Sequence, residues 1–524
     1  MNRRKTLAMT GIVLGLAVLL TACGKSGDSS GAAEITVQVF DRGTDGGKSD
    51  PTNNNWTKWI QEKVLEDENI KVKFIPIPRW EEVRAMNNLM AAGTPPDVCV
   101  SYSGGLISNF RDLGGLLDLS PYIDTTLKDL KEFLGPDKAL PGRDMIRRNE
   151  DAVTKEIYSV PSRRVVTAQR QMFIRKDWLD KLGLPLPRTT AEYHEALRAF
   201  KNSDPGGHGT NRVIPLSMGV DIYWGVFNIL YAFVDPNLSV RERWINTVED
   251  RPLLLPGFKE GMRFVNQLYQ EGLIDRDFAL YRGTDTNNII KSGVVGSFCG
   301  EWDIIYRESD SLLTDLQKNI PGAEFVPFDG ITDVNGVTRK SAYDSAGVQF
   351  FVPASCKNPE AALRYVNWLA KHENYHFLQI GPEGITHDMV DGIPKIKVAP
   401  GLWVQNSPQN IDYTINVNGL ELGDPDLNIR ALASGYPWPF EKLQNAYNIA
   451  MTNAAPGPVI PVRLSAGGPV SQTLLDKHNS FLAELMICRP RDFDRIWDAG
   501  VADWMASGAS LVLEERAEKY VDPF

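Results

Sequence analysis

The feature that most constrains the fold is a regular alternation of strand and helix patterns near the amino terminus. Residues 35–40, 70–77 and 98–102 have the apolar character of strands, and residues 56–64 and 80–92 carry apolar side chains at helical spacing. Strands separated by helices in this way are typical of a parallel sheet that helices cover. A chain of 524 residues is long enough for two such lobes with separate cores. The sequence therefore predicts an α/β protein of two lobes.

The same pattern continues to the end of the chain. Thr189 or Thr190 is a suitable helix cap, since Glu192 follows closely. We predict further strands at 157–161, 172–174, 294–298 and 348–352, and further helices at 177–182, 190–201, 258–269, 361–370, 474–486 and 493–505.

The first residues have the composition of an export signal. Cations at positions 3–5 precede an apolar run, residues 7–20, which is too short for a comfortable membrane span. Leu20-Thr21-Ala22-Cys23 resembles the lipobox of bacterial lipoproteins, whose cysteine thiol takes diacylglycerol. We expect residues 1–22 to be a lipoprotein signal peptide, Cys23 to carry the lipid, and residues 23–33 to form a flexible tether. The alternative is an ordinary secretory signal with an incidental cysteine.

Composition excludes some classes of function. The formal net charge is −10 at pH 7 and no basic patch offsets it, which argues against nucleic-acid binding. The remaining cysteines, Cys99, Cys299, Cys356 and Cys488, are scattered without a CxxC pair. Two disulfides are possible, but we favour four separate buried thiols. We expect a monomer.

Two stretches imitate known sites. Residues 43–49 resemble a P-loop, but three residues instead of four separate the outer glycines. His372-Glu373-Asn374-Tyr375-His376 fits the HExxH pattern of zinc enzymes, with a conceivable third ligand at Glu383 or His387. Because this stretch lies where a helix is expected to fray, we interpret it as solvated polar residues.

Residues 204–212 have the glycine spacing of a calcium loop. Only Asp204 supplies a carboxylate, so a hard cation would lose most of its oxygen ligands. We therefore expect an empty loop, no metal and no cofactor. The chain also lacks GxSxG and a dinucleotide-binding glycine motif, so we expect no enzyme activity.

Four segments carry a family resemblance. Residues 88–98 (NLMAAGTPPDV), 157–161 (IYSVP), 173–183 (FIRKDWLDKLG) and 292–302 (SGVVGSFCGEW) occur in the order found in one large family. The chain resembles the extracellular solute-binding lipoproteins of ABC sugar importers, which include the maltodextrin-binding proteins. With Gly381-Pro382-Glu383-Gly384, it further resembles the larger oligosaccharide-binding lipoproteins related to alginate-oligosaccharide-binding proteins.

This resemblance implies a periplasmic-binding-protein-like fold of type II, in which two hinged lobes enclose a ligand cleft. Lobe 1 would comprise residues 34–157 and 295–355, and the mostly helical lobe 2 residues 158–294 and 356–524. The chain would cross near Tyr158, return near Val294 and cross again near Val352. The implied partners are an oligosaccharide, the subunits of an ABC permease, and the extracytoplasmic face of the cell membrane.

The candidate site follows from the chemistry of sugars, which stack an apolar face on aromatic rings and offer hydroxyls to polar side chains. Trp302 matches the stacking tryptophan of the family, and other candidates lie at strand ends, after the first crossing and in aromatic loops. The candidate ligand-binding residues are Trp302, Asp41, Arg42, Tyr102, Ser103, Arg163, Arg164, Trp224, Trp438, Asp303 and Tyr343. Core packing is the alternative for the tryptophans, and a solvated pair for Arg163 and Arg164.

The leading hypothesis is a lipid-anchored receptor that captures a carbohydrate and delivers it to an ABC permease. Two alternatives stay open. One is a lipid-anchored hydrolase of glycans or peptides, and the other is a lipoprotein that binds peptides or takes part in signalling. The sequence does not identify the sugar, because that depends on the shape of the cleft.

Overall fold

Strands and helices alternate along the chain, as the sequence predicts. The computed structural model describes residues 31–43, 49–248, 251–282, 284–307, 310–332, 336–337, 340–397 and 401–522. Within them the strands are β1 (Ala33–Asp41), β2 (Ile70–Pro78), β3 (Cys99–Ser101), β4 (Val160–Arg164), β5 (Arg170–Arg175), β6 (Ile214–Ser217), β7 (Val295–Glu301), β8 (Phe325–Phe328), β9 (Lys340–Ser341), β10 (Ala346–Phe351), β11 (His387–Val390), β12 (Ile393–Ile396), β13 (Val417–Asn418) and β14 (Ala454–Ala455).

The helices of the same residues cover both faces of the sheets. They are α1 (Asn55–Glu68), α2 (Glu82–Ala91), α3 (Gly104–Asp112), α4 (Lys128–Leu134), α5 (Lys176–Leu182), α6 (Thr190–Ser203), α7 (Ile222–Gly225), α8 (Phe227–Phe233), α9 (Val240–Ile245), α10 (Phe258–Gln270), α11 (Thr284–Lys291), α12 (Leu312–Asn319), α13 (Pro359–Leu369), α14 (His372–Ile380), α15 (Ile411–Thr414), α16 (Pro425–Ser434), α17 (Phe440–Met451), α18 (Ser471–Ile487), α19 (Phe493–Trp504) and α20 (Ser510–Lys519). None of these helices has the length and apolarity that crossing a membrane requires.

Several predictions fall on residues outside the described part of the chain. The predicted signal peptide, residues 1–22, and the predicted lipidation site Cys23 are among them, as are most of the tether and residues 44–48 of the P-loop-like stretch. They stay predictions.

The first lobe is built on a sheet whose parallel strands end at one edge. β1 and β2 pair in parallel, and Val37 forms a parallel bridge to Val98, just before β3. β10 lies antiparallel between β3 and β4, so those two strands also run in one direction. The carboxyl ends of β1 to β4 therefore share one edge. The side chains of α13, including Leu363 and Val366, complete the core behind this sheet.

The second lobe is built on the sheet β6-β7-β5-β8. Met172 and Ile174 of β5 enter one hydrophobic core and Phe173 enters another, so helices cover both faces of this sheet. The cap predicted for α6 is confirmed. The Thr189 side chain accepts a hydrogen bond from the Glu192 amide, and the Glu192 side chain accepts one from the Thr189 amide.

Three segments of the described chain connect the lobes, which belong to one compact unit, Ala33–Phe524. Residues 165–169 join β4 to β5, residues 342–345 join β9 to β10, and residues 419–420 follow β13. They lie side by side, since the Tyr343 amide donates to the Thr167 carbonyl and the Val165 amide to the Asn418 carbonyl, each at 2.9 Å.

Glycine is required where two of these connections touch. Gly419 has a φ of +118°, and a Cβ there would lie 3.0 Å from the Cβ of Val165. A larger residue would strain both the backbone and the contact. Gly419 therefore allows residues 165–169 and 419–420 to pass closely through the hinge.

The strand pairing corrects the predicted division into lobes. Residues 295–355 were expected in lobe 1, but β7 and β8 both pair with β5 in the second sheet. Residues 356–524 were expected in lobe 2, but α13 packs in the core of the first lobe. The crossings lie at the three hinge segments and not near Tyr158, Val294 and Val352. An apolar run identifies a strand but does not specify which strand it pairs with.

The cysteines are separate thiols, as predicted, but only two of the four are buried as expected. Cys99 and Cys299 are buried, Cys356 and Cys488 are half-buried, and all four are free. Burial raises the pKa of the Cys99 and Cys299 thiols, which keeps them protonated and unreactive near neutral pH.

Candidate ligand-binding site between the lobes

The carboxyl ends of β1, β2 and β3 bring together four side chains that we call the first-lobe edge: Arg42, Arg79, Trp80 and Tyr102. The Arg79 guanidinium lies 4.2 Å from the centroid of the Tyr102 ring and 5.1 Å from that of Trp80. The Trp80 side chain is 79% exposed. An exposed indole beside guanidinium groups offers both a stacking face and hydrogen-bond donors to a sugar.

Arg42 has a structural partner within this edge. Its Nε and Nη2 donate to the two carboxylate oxygens of Asp412 at 2.7 and 2.9 Å, and the Asp412 side chain is only 2% exposed. Burial opposes the charge of Arg42, but the hydrogen bond and the attraction of Asp412 outweigh burial and raise the pKa of Arg42. Asp41, the other predicted residue of this strand end, is exposed, and its Oδ1 accepts a hydrogen bond from the Gly43 amide.

The positive charges of several arginines act on Tyr102. Its ring stacks on Phe40 with centroids 6.0 Å apart. Burial raises the pKa of the Tyr102 hydroxyl, and the positive charges of Arg42, Arg79 and Arg164 oppose that rise. Arg164 reaches this neighbourhood from the end of β4. The charge of Arg164 therefore acts on the first-lobe edge from the end of β4.

The predicted arginine pair separates at the end of β4, because successive side chains of a strand point to opposite faces. Arg163 lies 5.3 Å from the Phe133 centroid and 3.5 Å from a carboxylate oxygen of Glu421. Arg164 lies 4.3 Å from the centroid of the Tyr343 ring. The Nε of Arg164 is buried and has no hydrogen-bond partner among the described residues.

A second group, which we call the binding row, continues from Arg164 into the second lobe through Tyr343, Glu301, Arg170 and Trp224. The Tyr343 hydroxyl donates to Glu301 at 3.4 Å, and Glu301 pairs with Arg170 at 3.1 Å. Arg170 in turn lies 5.5 Å from the Trp224 centroid. Burial, followed by the negative charge of Glu301, raises the pKa of Tyr343, so its hydroxyl stays protonated and able to donate.

Sequence reasoning missed four of these residues: Arg79, Trp80, Arg170 and Glu301. Arg79 and Trp80 directly follow β2, just as Arg42 follows β1 and Tyr102 follows β3. The rule that ligand groups gather at strand ends could have found them. Arg170 and Glu301 occupy facing positions in β5 and β7, a pairing that becomes visible only with the sheet register.

Other predicted residues lie in structural roles. Trp302 is 4% exposed, and its ring meets Tyr447 edge-on with centroids 5.4 Å apart. Asp303 is buried, pairs with Arg307, and accepts a hydrogen bond of 2.6 Å from the Tyr436 hydroxyl. These surroundings favour the packing alternative for Trp302, whose contact with a ligand stays a prediction.

Two further candidates stand apart from the binding row. The Ser103 hydroxyl accepts a hydrogen bond from the Leu106 amide at 3.1 Å and so caps α3. Trp438 is half-buried, with Tyr306 at 6.2 Å and Lys442 at 5.5 Å from its ring. Ser103 directly follows Tyr102 of the first-lobe edge, and its amide donates to the Ser101 hydroxyl at 3.0 Å. The ring contacts described for Trp438 involve neither the first-lobe edge nor the binding row.

A cavity of about 300 Å³ is lined by residues of α3 such as Gly104 and Gly105, by residues 148–151 and 158–159, and by residues of the segment 459–468. The segment 459–468 contacts both lobes. The Arg111 side chain donates to the Leu464 carbonyl at 2.8 Å, and the Ser465 and Ala466 amides donate to Glu515 of α20. The cavity lies at the lower end of the size range of ligand pockets.

The two metal-like motifs form no cluster of ligands. The rings of His372 and His376 stack with centroids 5.2 Å apart. In the described part of the chain, no group of three or more His, Cys, Asp or Glu side chains is placed to hold a metal ion. In the calcium-like loop, the Asp204 carboxylate accepts hydrogen bonds from the His208 and Gly209 amides of its own loop. The expectation of an empty loop stays a prediction.

Residues 51–375 match the family described as bacterial extracellular solute-binding protein. Lipoprotein LipO of Bacillus subtilis (strain 168) is 28% identical over 359 residues, which cover 63% of this chain and 64% of LipO. The polygalacturonan/rhamnogalacturonan-binding protein YtcQ of the same organism is 21% identical over 62% of each chain. The chain thus matches less than two thirds of the length of these curated relatives.

Two solved structures are similar over nearly the whole chain. The alginate-binding protein AlgQ2 without calcium ion superposes with a TM-score of 0.66 at 18% identity, covering 94% of this chain and 98% of that chain. The substrate-binding protein FusA of S. pneumoniae in complex with kestose gives a TM-score of 0.64 at 15% identity, covering 93% and 98%. These similarities confirm the predicted two-lobe α/β fold.

Proposed function

Because the chain belongs to the family of bacterial extracellular solute-binding proteins, we propose that it captures an oligosaccharide outside the cytoplasm and delivers it to an ABC permease. The observation that carries this proposal is the set of aromatic and charged side chains at the first-lobe edge and in the binding row, which leads from the end of β4 into the second lobe. The kestose complex of FusA, the polygalacturonan/rhamnogalacturonan-binding protein YtcQ and the alginate-binding protein AlgQ2 support it.

The mechanism we propose is closure of the lobes around the sugar. Trp80 and Tyr102 contribute contacts from the first lobe, and Arg170 and Trp224 contribute contacts from the second. A ligand that touches both lobes stabilises the closed form by the contacts available only there. The three hinge segments allow that motion without breaking either core, and the permease recognises the closed form.

We also propose that the protein is anchored through lipid on Cys23 at the extracytoplasmic face of the membrane. The similarity to lipoprotein LipO supports this anchor. Tethering holds the receptor near its permease and raises its effective concentration there. The Cys23→Ala variant should be released from membranes and keep its affinity for the ligand.

The surroundings of the site favour binding of the sugar without catalysis. Glu301 is paired with Arg170 and accepts from Tyr343, so its charge is already engaged. A hydrolase of the usual kind would need two carboxyl groups placed to act as acid and base.

The test is a screen of oligosaccharides for a gain in stability of the full chain. A ligand present at 100 times its Kd raises the free energy of unfolding by about 2.7 kcal/mol if it binds only the folded state. We expect such a gain with at least one oligosaccharide, a smaller radius of gyration in solution scattering, and no cleavage products. Cleavage of the bound glycan would establish a hydrolase, and a gain with extended peptides alone would establish a peptide receptor.

A further inference from the structure

Arg164 differs from the arginines around it by having no anionic partner. Its guanidinium donates no hydrogen bond to any described residue, and its Nε, like those of Arg79 and Arg170, is buried without an acceptor. The neighbouring arginines each have a carboxylate within hydrogen-bond or ion-pair distance: Arg42 with Asp412, Arg79 with Glu82, Arg163 with Glu421, and Arg170 with Glu301. The binding row therefore contains one positive charge that the described residues do not compensate.

This uncompensated charge is held in a fixed position. The face of the guanidinium rests on the Tyr343 ring, 4.3 Å from its centroid, and the Arg164 amide donates to the Ser345 carbonyl at 2.7 Å. A cation over an aromatic face keeps its N–H groups free to donate along its edge. The charges of Arg42 and Arg79 also act on Tyr102, but Asp412 and Glu82 offset them, which leaves Arg164 as the uncompensated charge.

A buried charged donor without an acceptor destabilises the folded protein, and so it needs an explanation in function. The planar fork of a guanidinium matches the planar oxygens of a carboxylate better than it matches a hydroxyl. One missing negative charge corresponds to one singly charged group. Among the groups that a sugar ring carries, the carboxylate of a uronic acid has that charge and that shape.

We propose that the oligosaccharide bound by this protein is acidic, and that Arg164 binds the carboxylate of a uronic acid residue. This inference rests on the proposed function. Trp80 and Trp224 then supply stacking faces that any sugar could use, whereas Arg164 supplies the contact that selects charge. Sugars without a carboxylate leave the buried N–H of Arg164 unpaired and are disfavoured for that reason.

The experiment measures binding of defined tri- to hexasaccharides to the full chain by calorimetry. The probes are galacturonate, mannuronate and glucuronate oligosaccharides, their carboxyl-reduced neutral counterparts, and a sulfated oligosaccharide without uronate. We expect at least one uronate to bind, and its reduced counterpart to bind about tenfold more weakly or worse. The affinity for the uronate should also fall as the salt concentration rises.

The matched variants are Arg164→Gln and Arg163→Gln, which alter neighbouring residues of one strand. Arg164→Gln should weaken uronate binding by about tenfold or more, and Arg163→Gln by about twofold at most, since only Arg164 lacks a carboxylate. The Tm of Arg164→Gln should equal or exceed that of the unaltered protein, because the substitution removes an unpaired charge. Arg164→Lys should keep part of the preference for uronates.

Several outcomes would overturn the inference. They are equal binding of the uronate and its reduced counterpart, preference for the sulfated probe, unchanged uronate affinity in Arg164→Gln, and a large fall in the Tm of that variant. Binding of neutral oligosaccharides alone would reject the acidic ligand and leave the proposed function intact. If no probe of either kind bound, the proposed function would fail together with the inference.

Discussion

Trp80 and Trp302 each follow a strand that ends between the lobes, but their surroundings are opposite. Trp80 is 79% exposed beside Arg79, whereas Trp302 is 4% exposed against Tyr447. The charged neighbours differ in the same way. Asp303, next to Trp302, is enclosed by Arg307 and the Tyr436 hydroxyl, while Arg164 in the hinge has no carboxylate.

Residue type and position after a strand are therefore not enough to identify a binding residue. Around Trp302 these residue types pair with one another and stabilise the fold. At Trp80 and Arg164 they are left available to a ligand. Availability depends on what packs against a side chain, and experiments at both kinds of position can test this contrast.

The largest effect is expected when the enclosed tryptophan is removed. Trp302→Ala should lower the free energy of unfolding by about 3–5 kcal/mol, because it leaves a cavity against Tyr447. Urea denaturation measures this loss, and calorimetry on the folded variant should give nearly unchanged ligand affinity. A stable variant that no longer bound oligosaccharide would show instead that Trp302 contacts the ligand.

Lowering the pH should destabilise the second lobe, because it favours protonation of the buried His478. This buried side chain lies 5.6 Å from Tyr223, and burial together with the positive charge of Arg251 lowers its pKa to about 4. In the unfolded chain the pKa of histidine is about 6.5, so the unfolded state binds a proton first as the pH falls. Stability should therefore decrease between pH 6.5 and pH 4, by about 3 kcal/mol at pH 4.

His478→Gln is the variant that isolates this effect. The stability lost between pH 7 and pH 4 should be smaller in His478→Gln than in the unaltered protein by about the same 3 kcal/mol. Protonation of carboxylates such as Glu271, whose pKa is lowered to about 2 by Arg198, also lowers the free energy of unfolding in acid. This loss is the same in both proteins. Parallel pH profiles for the two proteins would show that His478 is not responsible.

The smallest free-energy effect is expected at the exposed tryptophan, and it should appear in binding only. Trp80→Ala should change the free energy of unfolding by about 0.5 kcal/mol or less, as exposed substitutions usually do. It should weaken oligosaccharide binding by about tenfold, or about 1.4 kcal/mol, through the lost stacking face. Calorimetry with the ligand found in the screen measures this, and Leu113→Ala, a 75% exposed residue of the same lobe, is the control. Unchanged affinity in Trp80→Ala would remove this residue from the site.

Much of the local structure was predictable because it depends on neighbours in the sequence. The apolar spacing of α1 and α10, the cap at Thr189, and the strands β1, β2 and β7 all agree with the patterns that predict them. The candidate site was predictable in part. Arg42 and Tyr102 lie at the first-lobe edge and Arg164, Tyr343 and Trp224 in the binding row, whereas Ser103 caps a helix and Trp302 and Asp303 are enclosed.

Local sequence patterns are sufficient to establish an α/β chain with strand ends rich in arginine and aromatic residues, because helix and strand patterns follow from side chains close together in the sequence. The pairing of β7 with β5, the cover of Tyr447 over Trp302 and the lack of a carboxylate at Arg164 are visible only in the folded chain. Those outcomes depend on residues 120 or more positions apart, which meet through packing. Burial and charge pairing are properties of that packing, and they separate a binding tryptophan or arginine from a structural one.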